Sequence, residues 1–208
     1  MGRKQNEIVL LAAFTFILAQ TALAAQTPAR ILSCRDFPAS ITVDQLSKRF
    51  GKGVVVSTQV YAGEGYYEDA VVLFPDSAAD RLELRWLNSI TKTRFASVCA
   101  KVSATHWKGP KGITIGSSLK SVQKSNGRPF FLSGFGWDGE GGAGNWNGGA
   151  LASPKGSSCH LALKFMPTMA QLNDRLYNKV LGDHRFSSGN HAMQHLNPKV
   201  TLLCLTYN

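Results

Sequence analysis

The run RLELRWL, residues 81–87, alternates strictly: Leu82, Leu84 and Trp86 fall on one side, Arg81, Glu83 and Arg85 on the other. Successive side chains of a strand point to opposite faces, so a period of two predicts a sheet with one buried and one wet face. Strands of similar length are predicted over residues 54–61, 70–74 and 94–102. Helical periodicity is brief. In ITVDQLSKRFGKG, Thr42 and Gln45 form a capping box, Leu46 and Phe50 share a face, and Gly51 ends the helix.

A second series opens at residue 113 with ITIGSSLKSVQKSNGRP. Ser117 is the expected cap, Leu119 and Val122 the apolar face, and Asn126-Gly127 the stop, with Pro129 just beyond. Strands are predicted over 130–137, 146–152, 159–166 and 199–207. An extra helix is predicted over 169–181, capped by Thr168 with Gln171, with Leu172 and Leu176 facing inward and Gly182 as its stop. The chain thus reads as α+β in two similar halves, residues 25–104 and 113–208. Each is a short helix packed on a four-stranded antiparallel sheet, and a linker at 105–112 carries the breaker Gly109-Pro110.

The first residues predict export. Arg3 and Lys4 precede an apolar run from Ile8 to Leu18, and Ala22-Leu23-Ala24 offers a small-x-small cleavage pattern, with Ala25 the close rival site. The run falls well short of the roughly 20 apolar residues that span a bilayer, so a signal peptide at 1–24 is expected and no transmembrane span in the mature chain. Ile31-Leu32-Ser33-Cys34 looks like a lipoprotein box, but Pro28 and Arg30 separate it from the apolar run.

An even number of cysteines in an exported chain predicts two disulfides. The division into halves favours Cys34–Cys99 and Cys159–Cys204, each bond inside one half. The net charge is +10, a surface that attracts anionic envelope polymers or an acidic protein. It contains no run of five like charges, so it is not arranged as a nucleic-acid arm.

The pattern Ile-Thr-Ile-Gly, a short helix with Leu and Val, then Asn-Gly-Arg-Pro, in residues 113–129, resembles the helix opening of small envelope modules. These are the outer-membrane assembly lipoproteins of the SmpA/OmlA type and the β-lactamase inhibitory protein. The resemblance implies a short helix against an antiparallel sheet, tandem modules and a binding role, and it transfers no active site. The block 137–151 and the run LNPKV resemble uncharacterised exported bacterial proteins.

Chemistry-bearing residues concentrate in two loops. GFGWDGEGGAGNWNGGAL, residues 134–151, holds eight glycines and two tryptophans. It reads as a hairpin with its tip at 138–145, closed by Trp137 and Trp146 as a cross-strand pair. The same indoles offer a stacking platform, with Asp138, Glu140, Asn145 and Asn147 as hydrogen-bonding groups. YAGEGYYEDA, residues 61–70, is its counterpart, with Tyr61, Tyr66 and Tyr67 around Glu64, Glu68 and Asp69. Two such loops at equivalent places predict one concave binding surface.

Catalytic signatures are missing: there is no Gly-x-Ser-x-Gly elbow, no His-Glu-x-x-His and no Cys-x-x-Cys. His184, His191 and His195 with Asp183 are the nearest approach to a metal set, and SSGNHAMQHLNP reads as a surface turn instead. No cofactor is implied. The expectation is an exported, non-enzymatic protein that binds or inhibits an envelope protein or glycan. An envelope glycan hydrolase using the loop carboxylates, or a carbohydrate-binding module, is the alternative.

Overall fold

The computed structural model describes residues 30–208, and the signal segment expected at 1–24 lies outside them. The elements in chain order are β1 (Arg30–Ile31), α1 (Val43–Phe50), β2 (Val55–Gly63), β3 (Tyr66–Leu73), β4 (Leu82–Trp86), β5 (Phe95–Lys101) and β6 (Trp107–Lys108). They continue as α2 (Leu119–Asn126), β7 (Phe131–Ser133), β8 (Gly142–Asn145), β9 (Cys159–Met166), β10 (Arg185–Ser187), α3 (His191–Leu196) and β11 (Lys199–Tyr207).

Local signals set most helix ends. Thr42 Oγ1 accepts from the Gln45 N–H at 3.2 Å and Gln45 Oε1 from the Thr42 N–H at 2.9 Å, so the capping box forms as read. The cap of α2 is Ser118 instead of Ser117, accepting from the Ser121 N–H at 3.1 Å. Ser117 is occupied one turn earlier, where its hydroxyl accepts from the Thr114 N–H at 3.0 Å. The helix expected over 169–181 is two 3₁₀ turns, Met169–Asn173 and Tyr177–Val180. Asp174 breaks it: its carboxylate accepts from the Leu176 N–H at 2.8 Å, a local turn that competes with the helical ladder.

The sheet corrects the division into halves. β2 to β5 form one meander and β7, β8 and β9 another, but β11 lies between β9 and β5 and pairs antiparallel with both. The result, among the described residues, is one nine-stranded antiparallel sheet in the order β10-β7-β8-β9-β11-β5-β4-β3-β2. Two separate four-stranded sheets would leave β5 and β11 as open, apolar edges, and pairing them satisfies both rows of backbone groups. One continuous core lies on one face. Leu84, Val98, Leu205, Leu163 and Phe165 from the sheet meet Leu46, Leu119, Val122, Met193 and Leu196 from the helices.

The opposite face carries the predicted charged row, with one difference. The Glu83 side chain is only 7% exposed, flanked by Lys101 Nζ at 2.6 Å, Arg81 Nε at 3.4 Å and an Arg85 nitrogen at 3.8 Å. Burying a carboxyl group without such nearby counter-charge would cost several kcal/mol, about the order of breaking a buried ion pair.

The disulfides differ from expectation. Cys99 bonds Cys204 and Cys34 bonds Cys159, so each bond crosses between the expected halves. On β11, Cys204 lies directly opposite Cys99 of β5, with Cα atoms 4.2 Å apart. Its partner on β9 is Ala162, and Cys159 lies opposite Tyr207, so the expected Cys159–Cys204 bond has no register to form in. Cys34 instead ties the N-terminal segment to the start of β9.

Residues 105–112 are built into the body. β6 pairs in parallel with β1, and Trp107 is buried with its indole N–H donating to the Asp80 carbonyl at 2.7 Å. The Asp80 carboxylate holds the same region, accepting from Arg30 Nε at 2.6 Å and Ser77 Oγ at 2.8 Å and lying 3.1 Å from His106 Nδ1. Burial pushes this carboxyl up, but the hydrogen bonds from Arg30, Ser77 and His106 outweigh burial and hold it below the usual range.

Candidate binding cleft

A hairpin forms in the tyrosine-rich stretch, but β3 begins at Tyr66 and not at the expected residue 70, so Tyr66, Tyr67, Glu68 and Asp69 lie on a strand and the turn is only two residues long. β2 and β3 are joined by Glu64 and Gly65, with φ of 48° and 80°, the positive values that primed two-residue turns require. A register shift between Tyr61 and Gly63 sharpens the twist just before the turn. Tyr61, Tyr66 and Tyr67 are all exposed, and Tyr61 packs edge-on against Tyr67 at 5.7 Å.

The glycine-rich stretch is organised differently from a flexible hairpin tip. Its glycines lie in and around β8, which begins at Gly142, so the expected strand over 146–152 and tip at 138–145 do not form. Gly141 shows why. It has φ 63°, and a Cβ there would sit 1.9 Å from the Phe165 carbonyl oxygen. A Cβ on Gly149 would meet the side chain of Asn126 at 2.3 Å. That buried amide donates to the carbonyls of Arg128 and Trp146 at 2.9 and 3.0 Å and accepts from the Leu151 N–H at 3.1 Å. The glycines serve close backbone approach more than mobility.

The two indoles separate accordingly. Trp146, 3% exposed, packs on Phe130 at 5.0 Å and donates to the Leu161 carbonyl at 3.0 Å. Trp137 is 39% exposed, with its N–H donating to the Gly134 carbonyl at 3.1 Å. They do not form the expected cross-strand pair: β7 ends at Ser133 and β8 at Asn145, so neither indole lies within a strand.

Between Trp137 and β8, Asp138 points into an open cleft of about 520 Å³ whose other wall is the hairpin: Ala62, Gly63, Glu64 and Tyr66. The two loops singled out in the sequence therefore meet. Their carboxylates divide into two kinds. Glu68 is bound to Arg85, Asp69 to Lys92 at 2.5 Å, and Glu140 lies 3.7 Å from Lys164 while accepting from the Gly136 N–H at 3.0 Å. The Lys92 hydrogen bond, with help from Gln59, holds the Asp69 carboxyl below its usual range. Glu64 and Asp138, both exposed and both in the cleft, have no ion-pair partner among the described residues.

Asn145 and Asn147 lie elsewhere. They line a separate depression of about 330 Å³ with Ser153 and His160, and Asn145 Oδ1 accepts from the Asn147 N–H at 3.0 Å. His184 and His191 are exposed, and His195 Nε2 lies 2.8 Å from Asp174 Oδ2. The Leu176 N–H first, and His195 next, hold the Asp174 carboxyl low. Among the described residues, no three His, Cys, Asp or Glu side chains converge on one point as metal ligands.

No family model, no curated protein and no solved structure matches this chain. The likeness of residues 113–129 to envelope modules rests on those residues alone. Among the described residues no helix is long and apolar enough to cross a membrane.

Proposed function

We propose that this is an exported, non-enzymatic protein that binds an envelope macromolecule through the cleft between the β2–β3 turn and the loop before β8. One observation carries the reading: Glu64 and Asp138, on two separate loops, both without an ion-pair partner among the described residues, share one open cleft with the exposed Tyr66. Carboxylates that the fold has not neutralised, beside an aromatic face, suit a ligand that brings hydrogen-bond donors or positive charge. The two disulfides fit an oxidising compartment. A glycan hydrolase sets two carboxyl groups on either side of the scissile bond, whereas Glu64 and Asp138 are both exposed at the rim of an open cleft.

The test is capture from the source organism's envelope extract by the immobilised protein and by the triple variant Glu64→Gln, Asp138→Asn, Tyr66→Ala. The variant keeps the wild-type melting temperature and loses the captured macromolecule. Equal capture by both proteins overturns the reading. Release of reducing sugar from envelope glycan by the wild type, abolished by Asp138→Asn, establishes the hydrolase instead.

A further inference from the structure

Among the described residues, the nine-stranded sheet ends in two unlike edges. β10, at one end, has three residues; β2, at the other, has nine. Long edge strands are normally guarded by charge, proline or a covering segment, because their free N–H and C=O groups template further pairing. β2 reads VVSTQVYAG, with neither charge nor proline in a chain of net charge +10, and Val56 to Gln59 are exposed. Which backbone groups are free follows from the register. The Phe74 N–H donates to the Val54 carbonyl at 2.7 Å, so by alternation 56, 58 and 60 turn their hydrogen-bonding groups toward β3. Ser57 and Gln59, with Val55 before them, turn theirs outward.

We infer that β2 pairs antiparallel with β2 of a second copy of this chain, across a two-fold axis at Thr58. The strand is self-complementary about that residue. Pairing places Ser57 opposite Gln59 of the second copy as a hydrogen-bonded pair, and Val56 opposite Val60 twice, once on each side of the axis. Thr58 meets its own counterpart, a favourable cross-strand combination. The apolar cluster of Val60, Ala70 and Val72 on this face then continues into Val56 of the neighbour, which at 39% exposure has open space on that side. Neither strand brings a charged side chain of its own to the interface, and the ion pairs beside it, Asp69–Lys92 and Glu68–Arg85, each join opposite charges, with Arg85 also donating to the Tyr61 carbonyl at the far end of β2 at 2.8 Å. Such an isologous contact closes on itself. At about 3.4 Å per residue, it sets the two hairpin turns on the order of 35 Å apart, so one dimer presents two clefts. The pairing does not depend on what the clefts bind.

Sedimentation velocity on the purified protein tests it. The wild type sediments as a dimer at micromolar concentration, and Thr58→Lys, which opposes two like charges at the axis, raises the dissociation constant at least tenfold with an unchanged circular dichroism spectrum. Thr58→Cys gives a second readout that holds even if the lysine variant misfolds. At the axis, in a non-hydrogen-bonded pair, the two Cα atoms are about 4.5 Å apart, close enough for a disulfide. Mild oxidation therefore links Thr58→Cys into dimers, whereas Ser57→Cys, on the diagonal at about 7–8 Å, links poorly. A wild type that stays monomeric at 200 µM, or equal cross-linking of the two cysteine variants, overturns the inference.

Discussion

At the scale of the residue, the glycine-rich stretch behaves as packing material. Gly141 combines a left-handed φ with a carbonyl where its Cβ would go, so Gly141→Ala must move β9 or unwind the turn. We expect a loss of about 3 kcal/mol or more, read as a Tm drop of roughly 6–12 °C for a chain of this size. The indoles give a paired prediction. Trp146→Ala removes a buried ring packed at a tilt against Phe130 and costs about 3–5 kcal/mol, while Trp137→Ala costs on the order of 1 kcal/mol because its ring is part-exposed. Equal Tm losses for the two variants would show that the loop before β8 is packed differently. Spacing alone told neither indole from the other, since both flank glycines, and only the position of β9 beneath Gly141 separates them.

At the scale of the element, caps were legible and irregular strands were not. The Thr42–Gln45 box and the Gly127 stop are local events, decided within four residues. β8 is four residues, Gly-Ala-Gly-Asn, without the apolar alternation that marks a strand, and it exists because β7 and β9 offer edges on either side. The N-terminal anchor is likewise a tertiary construction, in which Asp80 gathers Arg30, Ser77 and His106 from three segments. Because the folded Asp80 carboxyl titrates below its unfolded value, its contribution is complete above about pH 4 and is lost as pH falls through the folded pKa. Thermal melts between pH 7 and pH 3 should therefore show a steeper acid decline for the wild type than for Asp80→Asn. Parallel declines would mean that this anchor carries no pH-linked stability.

At the scale of the whole molecule, the two disulfides staple one sheet together instead of closing two modules. Cys99–Cys204 spans 105 residues, and chain-entropy reasoning assigns such a loop about 4–5 kcal/mol. The double variant Cys99→Ser, Cys204→Ser should lose an amount of that order in a denaturant titration under non-reducing conditions. Peptide mapping without reduction should recover Cys34 linked to Cys159 and Cys99 to Cys204, and a Cys159–Cys204 peptide would contradict the joined sheet. Binding and stability are also separable at this scale. The cleft lies on loops at the rim, while the core beneath β9 and β11 is continuous, so Glu64, Tyr66 and Asp138 can change without unfolding the chain.

Period-two alternation in RLELRWL, the strands over 159–166 and 199–207, the two capping boxes and the pair of aromatic, acidic loops all follow from the sequence by itself. Each depends on neighbours a few residues away, whose side-chain direction the backbone dictates. Which strands meet is a different kind of fact. β11 closes the gap between β9 and β5 because both edges need hydrogen-bond partners, and that single placement moves Cys204 opposite Cys99, sends Cys159 to Cys34 and merges two cores into one. The convergence of Asp138 with Glu64 and Tyr66 is of the same kind: residues more than 70 positions apart in the sequence line one cleft, a long-range arrangement that no local pattern encodes.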